Sequence, residues 1–97
     1  MDVEYDDKRL EQLATDKGLA NSADPVTKQF RKRIQFIACA PDERDFYAMR
    51  SLRFERLKGD RQHQYSMRLN KQWRLILEFR GSAPSKRVAV IAIEDYH

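Results

Sequence analysis

The sequence predicts an α+β fold: two N-terminal helices packed on a small antiparallel sheet of three strands, or four if the first residues join it. Three observations predict it. Apolar residues recur at helical spacing as far as Pro41, the period changes to two beyond Leu52, and Gly, Pro and Asn divide the later stretch into strand-sized pieces. No internal repeat or low-complexity tract interrupts the pattern, and 97 residues make one domain with a thin core.

Val3 and Tyr5 alternate with acids, so residues 1–9 open with a short edge strand. From Asp7 to about Lys17, Leu10, Leu13 and Ala14 fall at i, i+3 and i+4, and Gly18 follows as a helix stop. GLANSAD is a polar loop. Asp24-Pro25 is a strong helix start, because the Asp oxygen accepts orphan backbone N–H groups and proline at the first helical position has no N–H to lose. Val26, Phe30, Ile34, Ile37 and Ala38 then share one face of a helix of about four turns that ends before Pro41.

Residues 41–51 read as a short turn or helix. LRFERL alternates imperfectly and is an irregular start to the sheet, and Lys58-Gly59-Asp60 turns the chain. QYSMRLN alternates cleanly, with Tyr65, Met67 and Leu69 on one side and Ser66, Arg68 and Asn70 on the other. Asn70-Lys71-Gln72 then leads into WRLILEF, where Trp73, Leu75, Leu77 and Phe79 oppose Arg74, Ile76 and Glu78. That is a hairpin. Gly81 and Pro84 mark the next turn, and VAVIAI is a nearly continuous apolar run, as expected of a central strand covered on both faces. One sheet face packs on the helices, which leaves Arg68 and Arg74 on the other face or its rim.

Charge is divided along the chain. Residues 1–24 carry seven acids and three bases, whereas residues 25–97 carry sixteen bases and eight acids. A basic body suits a polyanion such as RNA or DNA, although a solvated charged face is the commoner cause of such counts. The single cysteine, Cys39, excludes an internal disulfide and a Cys-rich zinc site, and a buried small apolar role is its default. No apolar run approaches the roughly 18 residues that would cross a bilayer, and the acidic first residues do not resemble a signal peptide, so the expected location is the cytoplasm with no membrane partner.

The chemistry concentrates in the basic middle and at Glu94-Asp95-Tyr96-His97. Metal-free RNA cleavage needs a base for the ribose 2′-OH, cations for the phosphorane-like transition state, and an acid for the departing 5′ oxygen. Arginine suits the phosphate because its planar fork meets two oxygens at once and stays charged. Arg53, Lys58, Arg61, Arg68, Arg74, Asp95, Tyr96 and His97 together supply all three roles. Asp95 shares strand parity with His97, so its carboxylate is placed to orient the imidazole or raise its pKa. His63, in the polar DRQHQ turn, reads as a surface histidine. Two histidines without a Cys or carboxylate cluster point away from a metal site, and no cofactor is implied.

LKGDR, then QYSMRLNKQWRLILEF, then a terminal IEDYH, is similar to the HigB branch of the RelE/ParE toxin superfamily over about residues 52–97. The resemblance implies a RelE-like two-layer fold and a metal-independent mRNA endonuclease that cleaves codons in the ribosomal A site. It also implies a helix-turn-helix antitoxin of the HigA type. By position it assigns catalytic roles to Lys58, Arg74, Asp95, Tyr96 and His97, and phosphate contacts to Arg61 and Arg68, with Arg53 a further basic residue for RNA. This chain departs from the pattern at His63, where the family usually has glycine, and at Glu55, where some members have histidine. The division of acid and base among Glu55, Lys58, Tyr96 and His97 stays open. Two rivals keep the fold and change the activity: inhibition of DNA gyrase, as in the ParE branch, and non-enzymatic nucleic-acid or ribosome binding.

Overall fold

In the computed structural model, which describes residues 1–16, 24–82 and 84–95, three helices cover one face of a five-stranded sheet. The order along the chain is β1 (Asp2–Tyr5), α1 (Lys8–Thr15), α2 (Pro25–Cys39), α3 (Arg44–Ala48), β2 (Glu55–Arg56), β3 (Tyr65–Arg68), β4 (Trp73–Arg80) and β5 (Arg87–Asp95). Across the sheet the order is β1-β5-β4-β3-β2. β1 runs parallel to β5 and every other pairing is antiparallel. The sheet is therefore mixed and has five strands, where an antiparallel sheet of three or four was expected. The reason lies in β5: an interior strand needs a ladder on both edges, and β1 supplies the second one.

The helices begin as their caps dictate. Asp7 accepts the Arg9 amide at 2.8 Å to start α1, and Asp24 accepts the Val26 amide at 3.1 Å and the Thr27 hydroxyl at 2.9 Å to start α2. Phe30 and Ile37 are fully buried, while Val26 and Ile34 pack at the margin of the core. Ala38 and Cys39 are exposed, contrary to expectation. The helical rotation that turns Ile37 inward carries the next two positions outward. Gly18 and most of GLANSAD lie outside the described residues.

Short α3 has more weight than its five residues suggest. It buries Phe46, whose ring meets Phe36, Phe54 and Phe79 at centroid distances of 5.9, 5.3 and 6.4 Å. Arg53 takes a left-handed backbone conformation, with φ 46°. This bend explains the imperfect alternation of LRFERL, since Leu52 and Phe54 are both buried on either side of it.

A bulge in β5 sets the geometry of the far end of the sheet. Leu77 pairs with Val90 but Ile76 pairs with Ala92, so Ile91 is the extra residue. Side-chain parity flips across it. Beyond the bulge Ile93 and Asp95 register with Leu75 and Trp73 on the helical side, whereas Ala92 and Glu94 register with Ile76 and Arg74 on the open side.

The open face is not bare. Ile76 and Ala89 are fully buried there, although Arg74 and Glu78 share that face of β4. Arg80 donates to Glu4 at 3.2 Å and to Asp6 at 2.7 Å, tying β4 to the first strand and the turn after it. These bonds hold Arg80 above and Asp6 below their usual pKa ranges, and Glu4 is held below its own chiefly by a hydrogen bond from Arg87, with Arg80 adding to it.

Candidate functional site: a basic cleft on the open face

At the β2–β3–β4 end of the open face lies a cleft of about 270 Å³, lined by Arg53, Glu55, Ser66, Arg68, Asn70, Lys71 and Arg74. Three arginines and a lysine meet one carboxylate. The hairpin register brings this about. Asn70 Oδ1 accepts the backbone amides of Gln72 and Trp73, both at 2.8 Å, which closes the turn and sets Arg68 directly opposite Arg74. On the next strand Glu55 registers with Ser66, two residues before Arg68 on the same face.

Each guanidinium has a distinct setting. Arg68 donates from Nε to the carbonyl of Asn70 at 3.1 Å. Arg74 is about one-fifth exposed and its Nη2 stands 3.8 Å from Glu94 Oε1. Arg33 of α2 reaches the sheet and donates to the Arg68 carbonyl at 3.2 Å, and its partial burial lowers its pKa. Arg53 is exposed at the rim.

Arg61 belongs to the 3₁₀ turn Gly59–Arg61, and its fork closes on Glu94 at 2.8 and 3.0 Å, which raises its pKa. It stands beside the cleft with three of its five N–H donors engaged. Lys58 immediately precedes that turn, is exposed, and does not line the cleft. Asp95 registers with Trp73 on the helical side of β5, one residue beyond Glu94, and Gln72 Nε2 approaches its Oδ2 at 3.4 Å. Tyr96 and His97 lie outside the described residues. The structure thus groups Arg53, Arg68 and Arg74, sets Arg61 at their edge, and keeps Lys58 and Asp95 apart from the cleft.

Ser66, Asn70 and Lys71 line the cleft but were not singled out from sequence as site residues, and Glu94, part of the terminal group that was, flanks it without having been given a role of its own. Strand parity already placed Ser66, Arg68 and Asn70 on one face, so that signal was present for two of them. His63 is exposed, with Nε2 3.9 Å from a Glu78 oxygen, as a surface histidine would be. Among the described residues no three His, Cys, Asp or Glu side chains gather as metal ligands do. No helix among them is long and apolar enough to cross a membrane.

The family model of the HigB-like toxin, the RelE-like toxin of the type II toxin-antitoxin system HigB, matches residues 3–97. The chain belongs to the HigB-like toxin family. It is a toxin of a type II toxin-antitoxin system, and an antitoxin partner follows from that membership. Among solved structures, a YoeB/ParE toxin from Agrobacterium tumefaciens superposes with a TM-score of 0.63 over 100% of both chains at 16% identity. At that identity the likeness concerns the fold, and it agrees with the helix-on-sheet arrangement of this HigB-like chain. No curated protein matches the sequence.

Proposed function

We propose that this HigB-like toxin is a metal-independent, ribosome-dependent endoribonuclease that cuts mRNA in the ribosomal A site. The supporting observation is the Arg68–Arg74 pair inside a cleft that also holds Arg53 and Lys71. Positive charge is concentrated in one cleft of the open face, which suits a phosphodiester. In this reading Arg68 and Arg74 hold the scissile phosphate and stabilise the charge that builds on its non-bridging oxygens, while Arg53 and Arg61 meet flanking phosphates.

The reaction transfers the 2′-OH proton to a base, forms the 2′-oxygen–phosphorus bond and breaks the bond to the 5′ oxygen, which takes a proton from an acid. Lys58, Asp95, Tyr96 and His97 are the proposed catalytic group by position in the family motif, together with Arg74. Glu55 is the carboxylate that the cleft itself presents. The ribosome supplies what a small open cleft lacks, the alignment of the 2′ oxygen with the leaving group.

The same proposal gives the toxin a helix-turn-helix antitoxin of the HigA type, the ribosome and mRNA as partners, and the cytoplasm as its location. Expression of the wild-type chain in growing cells is expected to halt translation and leave truncated mRNAs. Co-expression of a helix-turn-helix protein from the neighbouring reading frame is expected to restore growth. Arrested growth with intact mRNA would contradict the proposal.

A further inference from the structure

Glu94 is a carboxylate placed among the cations at the edge of the basic cleft. Its position depends on the Ile91 bulge, because an unbroken register would set Ile93, not Glu94, opposite Arg74. Oε2 accepts Arg61 Nη2 at 2.8 Å and Oε1 accepts Arg61 Nη1 at 3.0 Å, while Oε1 also stands 3.8 Å from Arg74 Nη2. One carboxylate thus joins an arginine on the turn after Lys58 to an arginine on β4.

The segment between β2 and β3 is shaped mainly from within. Leu57 donates to Gln64 at 2.9 Å, Gln64 to Arg61 at 2.9 Å, Gln62 to Gly59 at 3.3 Å, and Arg61 Nε to the Gln64 side chain at 2.9 Å. These bonds give the turn its form without attaching it to β4 or β5. Arg61–Glu94 makes the attachment to β5, and Gln64 Nε2 to Glu78 Oε2, at 3.1 Å, attaches it to β4, with His63 Nε2 standing 3.9 Å from the same Glu78 oxygen. The three side chains of the Arg61–Glu94–Arg74 group are 39, 33 and 21% exposed, so solvent screens them and the contribution to global stability is small. A bidentate fork nevertheless fixes direction as well as distance.

We propose that Glu94 is a positioning residue: it anchors the Lys58–Gln64 turn to the end of β5 and orients Arg74, so that two separate pieces of the site act on one phosphate. This rests on the reading of the cleft as an RNA-cleaving site. If Glu94 served only to dilute positive charge, its neutralisation would tighten RNA binding and leave the chemical step alone. A positioning role predicts the reverse emphasis.

The test is a cycle of Glu94→Gln, Arg61→Met and the double variant, assayed for A-site cleavage on ribosomes and, separately, for amide hydrogen exchange of residues 59–64 in the isolated protein. The expected result is a fall in kcat of about 10–100-fold in Glu94→Gln, because displacement of ~1 Å carries that penalty, with KM within about twofold and Tm nearly unchanged. The double variant should be no worse than the worse single, and exchange at 59–64 should quicken. Glu94→Gln with wild-type kcat, a change confined to KM, or unaltered exchange at 59–64 would overturn the proposal. If the wild type makes no cut, the endonuclease reading falls, and the exchange measurement still decides the tether.

Discussion

Arg68 and Arg74 stand directly opposite each other on adjacent antiparallel strands, a like-charge cross-strand pair at the floor of the basic cleft. Such pairs are destabilising by a fraction of a kcal/mol to about 1 kcal/mol. The sheet carries one beside the bulge that re-aims β5, which is where a site for an anion would tolerate it. Arg68→Gln is therefore expected to leave the unfolding free energy unchanged or raise it by up to about 0.5 kcal/mol, since the lost Nε bond to Asn70 offsets part of the relieved repulsion. In RNA binding the same variant should weaken affinity and flatten the log K against log salt slope by about one unit. Chemical denaturation and a salt titration measure the two effects.

Asn70 fixes the register that creates this pair. Its Oδ1 accepts two backbone amides, one exposed and one partly buried, so Asn70→Ala removes both bonds and should cost about 0.5–1.5 kcal/mol in urea denaturation. Loss of RNA binding beyond that of Arg68→Gln would follow from the altered turn.

Phe46 anchors α3 to the sheet through three aromatic neighbours and is fully buried. Phe46→Ala should lower the unfolding free energy by about 3–5 kcal/mol. A loss below about 1 kcal/mol would mean that α3 is peripheral.

Arg80 gives the chain a defined acid sensitivity. Its bonds hold the Asp6 carboxyl below its ordinary value of 3.8, with desolvation opposing, and add to the larger effect of the Arg87 hydrogen bond in holding Glu4 below 4.5. A depressed folded pKa contributes stability above the unfolded value and loses it as pH falls through the folded one. The Tm gap between wild type and Arg80→Met should thus be full at neutral pH, begin to close below about pH 4.5, and vanish once both carboxyls are protonated. Thermal melts from pH 7 to pH 3 check this, and a gap independent of pH would contradict it.

The cap at Asp24, the start of α1 near Asp7, the Asn70 hairpin and the central β5 were legible because each is written locally, in a side-chain oxygen, an apolar repeat, a turn residue or an apolar run. The parallel pairing of β1 with β5 was not, since strand periodicity carries no information about direction or neighbour. Nor was the bulge: in VAVIAI every side chain is apolar, so an extra residue leaves the hydropathy pattern unchanged. That invisibility matters for the site. Without the bulge, parity cannot decide whether Glu94 or Asp95 shares the face of Arg74, and the structure places Glu94 there. Ala38 was misread because the apolar stripe was continued into the final turn of α2, where Phe36 and Ile37 already fill the inward positions, and Cys39 because burial is the default for a lone cysteine.

The measurement closest to the central claim is primer extension on mRNA carried by translating ribosomes, with wild-type protein and Arg74→Ala side by side. A wild-type cut within the A-site codon that falls at least about 100-fold in Arg74→Ala, an amount typical for loss of a group stabilising transition-state charge, is the predicted result. Intact mRNA with the wild type, or equal cutting by both proteins, would contradict the account.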